Sequence, residues 1–264
     1  MKTKYVFSIA FAAALATALV SCGGKKETTE TAPSAPAGPA ATPIDMSTVG
    51  AVTGTVKLDG TPPQPRRINM AAEPSCAAAH PTPSMDEEVV AGTGGALGNV
   101  IVYVKEGLGN RTFETPKTPV TIDQKGCTYV PHVVALMAGQ TLDVKNNDKV
   151  THNIHPVPKV NREWNKSQPP GAGDIEDTFA REEIAIPVKC NVHPWMKSYI
   201  AVFKNPYFQV TGKDGAFDLK NLPPGTYTIE AWHEKYGTSD QTVTIGPKES
   251  KTVSFVFKAA AAGD

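Results

Sequence analysis

Glu183-Ile184-Ala185-Ile186-Pro187-Val188-Lys189-Cys190, continuing into Asn191-Val192-His193-Pro194-Trp195-Met196, is the stretch that decides the fold. Its first half alternates, so Ile184, Ile186, Val188 and Cys190 share one face of a strand. Pro187 removes a ladder donor and marks an edge or a bulge. The second half is a tight loop that holds a thiol, an imidazole and a thioether. The strand aims Cys190 inward among apolar residues, where a thiolate needs a compensating cation.

A second imidazole stands upstream. Thr141-Leu142-Asp143-Val144-Lys145 alternates as a strand, and Asn146-Asn147-Asp148-Lys149-Val150-Thr151-His152-Asn153 follows, placing His152 just past a strand end. Soft sulfur with imidazole selects copper, and two histidines, one cysteine and a weak axial methionine form the blue-copper set. His155 is the alternative ligand, although a regular strand turns it away from His152. Met196 also reads as plain core, and Cys190 as an inert thiol. Structural zinc favours more Cys or His ligands and no Met. A binuclear copper centre would need a second cysteine in the loop.

The Asn-Asn, four residues, then His-Asn spacing resembles the first ligand loop of plastocyanin. His152-Asn153-Ile154-His155 with the Cys-x-x-His-x-x-Met loop is more similar still to amicyanin. This cupredoxin resemblance covers roughly 120–203. It implies a Greek-key β-sandwich with one type 1 copper, His152, Cys190 and His193 as equatorial ligands and Met196 as axial ligand. Asn153 is implied to tie the two loops by hydrogen bonds. The resemblance also implies that one edge of His193 reaches the surface in an apolar patch. Trp195 departs from the family by making the loop bulkier; it is read as an electron-transfer patch beside His193, with filling of the core beneath the loop as the other reading. Ile184-Ala185-Ile186-Pro187 departs from the Gly-x-Tyr usual before the cysteine strand.

Elsewhere, short strands between Gly and Pro signals point to an all-β chain: Val100–Val104, Tyr199–Phe203, Tyr227–Ala231 and Val253–Phe257. The stretch from Lys159 to Ala180 lacks periodicity and reads as a long loop with at most a helical turn. Thr211-Gly212-Lys213-Asp214-Gly215-Ala216-Phe217 and Asn221-Leu222-Pro223-Pro224-Gly225-Thr226-Tyr227 resemble the carboxypeptidase regulatory-like, transthyretin-like β-sandwich. Val52–Gly60 and Asn99–Val104 resemble its earlier strands. The expected division is a copper domain over 49–205 and a second small β-sandwich over 206–258. Alternatively 49–105 belongs to the second sandwich and the copper segment is an insertion. Trp232-His233-Glu234, near a strand end, reads as surface.

The chain opens as an export signal over 1–21: Lys2 and Lys4, an apolar run from Tyr5 to Val20, then Leu19-Val20-Ser21-Cys22, which resembles a lipobox. Cys22 is the expected lipidation site, and several fatty chains anchor where one is marginal. Residues 22–48 read as a disordered tether, reaching roughly 30 Å as a coil and at most about 80 Å extended. Cys76 and Cys127 are expected to form a disulfide, the default for an exported protein. A second metal site with His80 and His132 is the other reading.

Lys and Arg number 26, as do Asp and Glu, and no basic patch points to nucleic acid. The expected function is a lipid-anchored electron carrier of the cell envelope, on the outer membrane facing the periplasm or on the cell surface. Its donor and acceptor are redox proteins that the sequence does not name. With no second His-rich set for a further copper, the reading is not an enzyme. Copper delivery without redox turnover, and a structural envelope protein, are the alternatives.

Overall fold

The computed structural model describes residues 41–259. The signal segment, Cys22 and most of the tether lie outside the described residues. Among those described, no helix is long and apolar enough to cross a membrane.

The chain is almost entirely β. In order it forms β1 (Gly50–Asp59), a short helix α1 (Pro74–Ala78), β2 (Ile101–Glu106), β3 (Val120–Gln124), β4 (Tyr129–Val130), β5 (Val133–Met137), β6 (Thr141–Asn146), β7 (His152–Pro156) and β8 (Lys166–Gln168). There follow β9 (Ile175–Thr178), β10 (Glu183–Lys189), β11 (Lys197–Phe203), β12 (Phe208–Val210), β13 (Ala216–Leu222), β14 (Gly225–His233), β15 (Gly237–Ile245) and β16 (Ser250–Lys258).

Four sheets result, ordered β13-β1-β16, β12-β2-β14-β15, β5-β11-β10-β7-β8 and β4-β3-β6-β9. The first two enclose a core with Val52, Val56, Val102, Ile229, Phe217 and Phe255. The last two enclose another with Ile122, Leu142, Ile154, Val188 and Ile200. A third cluster, Ile101, Tyr103, Val133, Ala201 and Phe203, joins the two sandwiches back to back. This explains the unbroken apolar runs. Val102 and Val104 face one core while Ile101 and Tyr103 face the junction. Ile200 and Val202 likewise oppose Ala201 and Phe203. A strand buried on both faces needs apolar residues at every position.

β1 and β2 pair only with strands of the 208–258 sandwich, so those two strands of 49–105 belong with it. The segment β3–β11 is inserted between β2 and β12. Between β1 and β2, however, Met70 and Cys76 pack into the core of the inserted sandwich.

Two sequence expectations change. Ile186, Val188 and Cys190 share the inner core, but Ile184 packs against the junction cluster instead. A register shift between Glu183 and Ile186, with Ala185 at φ 62°, inserts a residue and turns Ile184 over. Pro187 therefore stands beside a bulge in an interior strand. The stretch 159–180 is not a bare loop; it carries β8 and β9, which border their sheets.

Candidate metal centre

The Asn146 side chain shapes the first ligand loop. Its Oδ1 accepts from Asp148 N at 3.0 Å, and its Nδ2 donates to Val150 O at 3.0 Å and Gln168 O at 2.8 Å. This side-chain turn aims the Asp148 carboxylate at the residue four positions on. The second loop is closed by its own backbone: Met196 N donates to His193 O at 2.9 Å and Cys190 N to Met196 O at 3.3 Å.

The two loops meet in the inner core. The Nδ1 atoms of His152 and His193 face each other at 2.8 Å, and Cys190 Sγ lies 3.9 Å from His193 Nδ1. The ligand atoms of His152, Cys190 and His193 all lie within 4.8 Å of one another, and all three residues are buried. Met196 is buried in the same apolar cluster as Cys190. Asn153 links the loops, its Oδ1 accepting from Cys190 Sγ at 3.3 Å and from Asn191 N at 2.7 Å. His155 turns away, its Nδ1 3.1 Å from Asn191 Oδ1 and its Nε2 2.6 Å from Glu163 Oε1.

The electrostatics favour a cation. Burial opposes the Cys190 thiolate, yet His152 and nearby backbone N–H groups outweigh burial and hold its pKa below the usual thiol range. Burial also opposes the His152 imidazolium, but Asp148 and Cys190 push its pKa up. His193 moves down, through burial first and the His152 charge second. His152 Nε2 donates to Asp148 Oδ2 at 2.9 Å, which leaves the Nδ1 lone pair pointing inward.

Asp148 and Tyr129 are not among the expected site residues, whereas the Cys76–Cys127 disulfide is. Asp148 also accepts from Gly126 N and Cys127 N, each at 2.7 Å. Tyr129 donates to Asn153 O at 2.5 Å, beside Cys190. Cys76 and Cys127 are joined by a disulfide. That bond holds α1 against the site, with Cys76 Sγ 3.9 Å from His193 Nε2. His193 is therefore only 2% exposed. This corrects the surface edge expected for it, because the segment between β1 and β2 folds over that side. Trp195 is half-buried; its ring centroid lies 5.1 Å from that of His193, and its Nε1 donates to Cys127 O at 3.0 Å. It borders a groove of about 340 Å³, with Ile68, Met85, Tyr129, Val130 and Met196.

The Trp232-His233-Glu234 stretch is also corrected. His233 is fully buried, and the Glu234 side chain is buried between His132 and Lys197, where the two sandwiches meet.

The family model of the carboxypeptidase regulatory-like domain matches residues 204–258. No curated protein matches this chain. Among solved structures, a copper-containing nitrite reductase from Thermus scotoductus SA-01 is similar at 25% identity over 37% of this chain, with a TM-score of 0.29. The matched part spans 25% of that reductase. A purple cupredoxin from Nitrosopumilus maritimus aligns at 22% identity over 31% of this chain and 98% of its own, with a TM-score of 0.27. A Cu(I) form of a mutant amicyanin aligns at 19% identity over 38% of this chain and 97% of its own, with a TM-score of 0.28. At such TM-scores the fold stands on its own sheets and cores.

Proposed function

We propose that the protein is a type 1 copper electron carrier. One observation carries this reading: two inward-facing imidazole Nδ1 atoms and one thiol sulfur converge in a buried apolar core. His152, Cys190, His193 and Met196 would hold the ion, and that donor set suits copper. Bound copper supplies a one-electron couple. The chain's own part is to keep the donors still. Asp148 fixes the His152 ring, Asn153 pins the Cys190 loop by accepting from Asn191 N, and the disulfide holds α1 over His193.

Burial favours the carrier over copper delivery. Handing over an ion requires a ligand to be exchanged from outside, and all three donors in the cluster are shut in. An electron needs only a short path, which Trp195 supplies from His193 to the groove. The reading therefore places redox-partner contact at Trp195 and assigns no enzymatic turnover. Lipid on Cys22 would hold the carrier at the cell envelope, with the polar tether as its reach. Voltammetry of the copper-loaded protein tests the reading. A reversible one-electron wave supports a carrier; loss of copper on each reduction supports delivery.

A further inference from the structure

The two histidines of the centre are double-sided. Their Nδ1 atoms face each other and Cys190, while their Nε2 atoms face the Cys76–Cys127 disulfide and Asp148. His193 Nε2 lies 3.9 Å from Cys76 Sγ. On the other ring, the ligand atoms of Cys127, Asp148 and His152 all lie within 4.8 Å of one another. Cys76 and Cys127 are both buried, so the sulfurs and the Asp148 carboxylate share one enclosed side of the centre. In the disulfide neither sulfur is a thiolate, and the thiolate is the form that binds metal.

We propose that this outer face is a second, thiol-gated cation site. When the disulfide is reduced, Cys76 and Cys127 take one Cu(I) with Asp148 beside it, next to the inner centre. The gating step requires a dithiol reductant and, because both cysteines are buried, a local opening of the α1 segment that admits it. It delivers two electrons and two protons to the sulfur–sulfur bond, leaves two thiols, and is itself converted to a disulfide. Binding of Cu(I) then displaces the thiol protons. Two soft sulfurs select monovalent copper over harder ions. Reoxidation requires a disulfide oxidant, which takes two electrons from the two thiolates and leaves as two thiolates; the Cys76–Cys127 bond re-forms, the Cu(I) is released and the site is removed. The outer face is thus a copper-holding position that exists only under reducing conditions, whereas the inner set includes neither of its cysteines.

Anaerobic titration with Cu(I), buffered by a competing chelator, tests the proposal. The disulfide protein is compared with the dithiol protein, whose thiols are counted by alkylation and mass spectrometry. The proposal expects one equivalent in the disulfide form and two in the dithiol form. It also expects the second equivalent to be lost in C76S/C127S. Reoxidising the loaded dithiol protein should release one equivalent, a check that needs no folded variant. The same stoichiometry in both redox forms overturns the proposal, as does a second equivalent that survives in C76S/C127S. Failure of the inner centre looks different: the disulfide form then binds nothing, while a Cys76- and Cys127-dependent equivalent still appears on reduction.

Discussion

The Nδ1 atoms of His152 and His193 face each other at 2.8 Å, although they arise from different loops. Two lone pairs at that distance need a proton or a cation between them. His152 is the more basic ring, raised by Asp148 and Cys190 against its burial, while His193 is lowered. A cation bound between the two rings has to take the place of that proton. Copper(II) uptake should release protons. The apparent affinity should weaken as pH falls through the raised His152 value. Calorimetry in buffers of different ionisation enthalpy measures the release, and an affinity flat across that range would contradict it.

Asp148 holds the far nitrogen of His152 and the turn that carries Cys127. Asp148→Asn keeps the shape but removes the charge. Loss of such an outer partner costs roughly 10- to 100-fold in metal affinity. Chelator competition should show that loss with the copper–thiolate absorption retained. An unchanged affinity would mean that the carboxylate serves only the turn.

Trp195 provides contact between His193 and the groove. Trp195→Ala should leave the copper spectrum nearly unchanged and slow electron self-exchange. Trp195→Phe, which keeps a ring without the bond to Cys127 O, should recover much of the rate. A collapsed spectrum in Trp195→Ala would make the residue structural. An undiminished exchange rate would place the exit elsewhere.

Much of this architecture is visible in the amino-acid order. Val100–Val104 and Tyr199–Phe203 announce strands, and their unbroken apolar character is explained by two cores and a junction. The two loops that bring His152, Cys190 and His193 together are readable because each follows an alternating strand. What escaped had weak local signals. β8 and β9 are short border strands made mostly of polar residues, with polar Gln168 as the buried residue of β8, so their periodicity is faint. Ile184 is misplaced by any regular alternation, because one inserted residue reverses its face. The cover over His193 comes from a segment whose Cys76 lies 117 residues away in sequence, and only that cysteine hints at it. Asp148 carried a signal in its position four residues before His152, within an Asn-rich turn.

His233 sits at the end of β14, fully buried against Tyr236 and Phe257. Burial lowers its pKa from 6.5 to about 4, against the opposing pull of Glu234 and Glu88 and with help from His132 and Lys235. The unfolded chain thus takes up a proton near 6.5 that the native fold refuses until about 4. Stability should fall as pH drops through that window, by up to about 3 kcal/mol from this group. Urea unfolding of wild type and His233→Phe across the window measures it. Equal slopes with pH in the two proteins would remove His233 as the cause.

The central claim is a single copper bound by Cys190 and two imidazoles. Its most direct test is the visible and electron paramagnetic resonance spectrum of the Cu(II)-loaded protein beside Cys190→Ser, His152→Ala and His155→Ala. The account predicts an intense thiolate charge-transfer band with small copper hyperfine splitting, absent in Cys190→Ser, destroyed or grossly distorted in His152→Ala, and retained in His155→Ala. A spectrum that lacks the thiolate band in wild type, or that depends on His155 instead of His152, would contradict it.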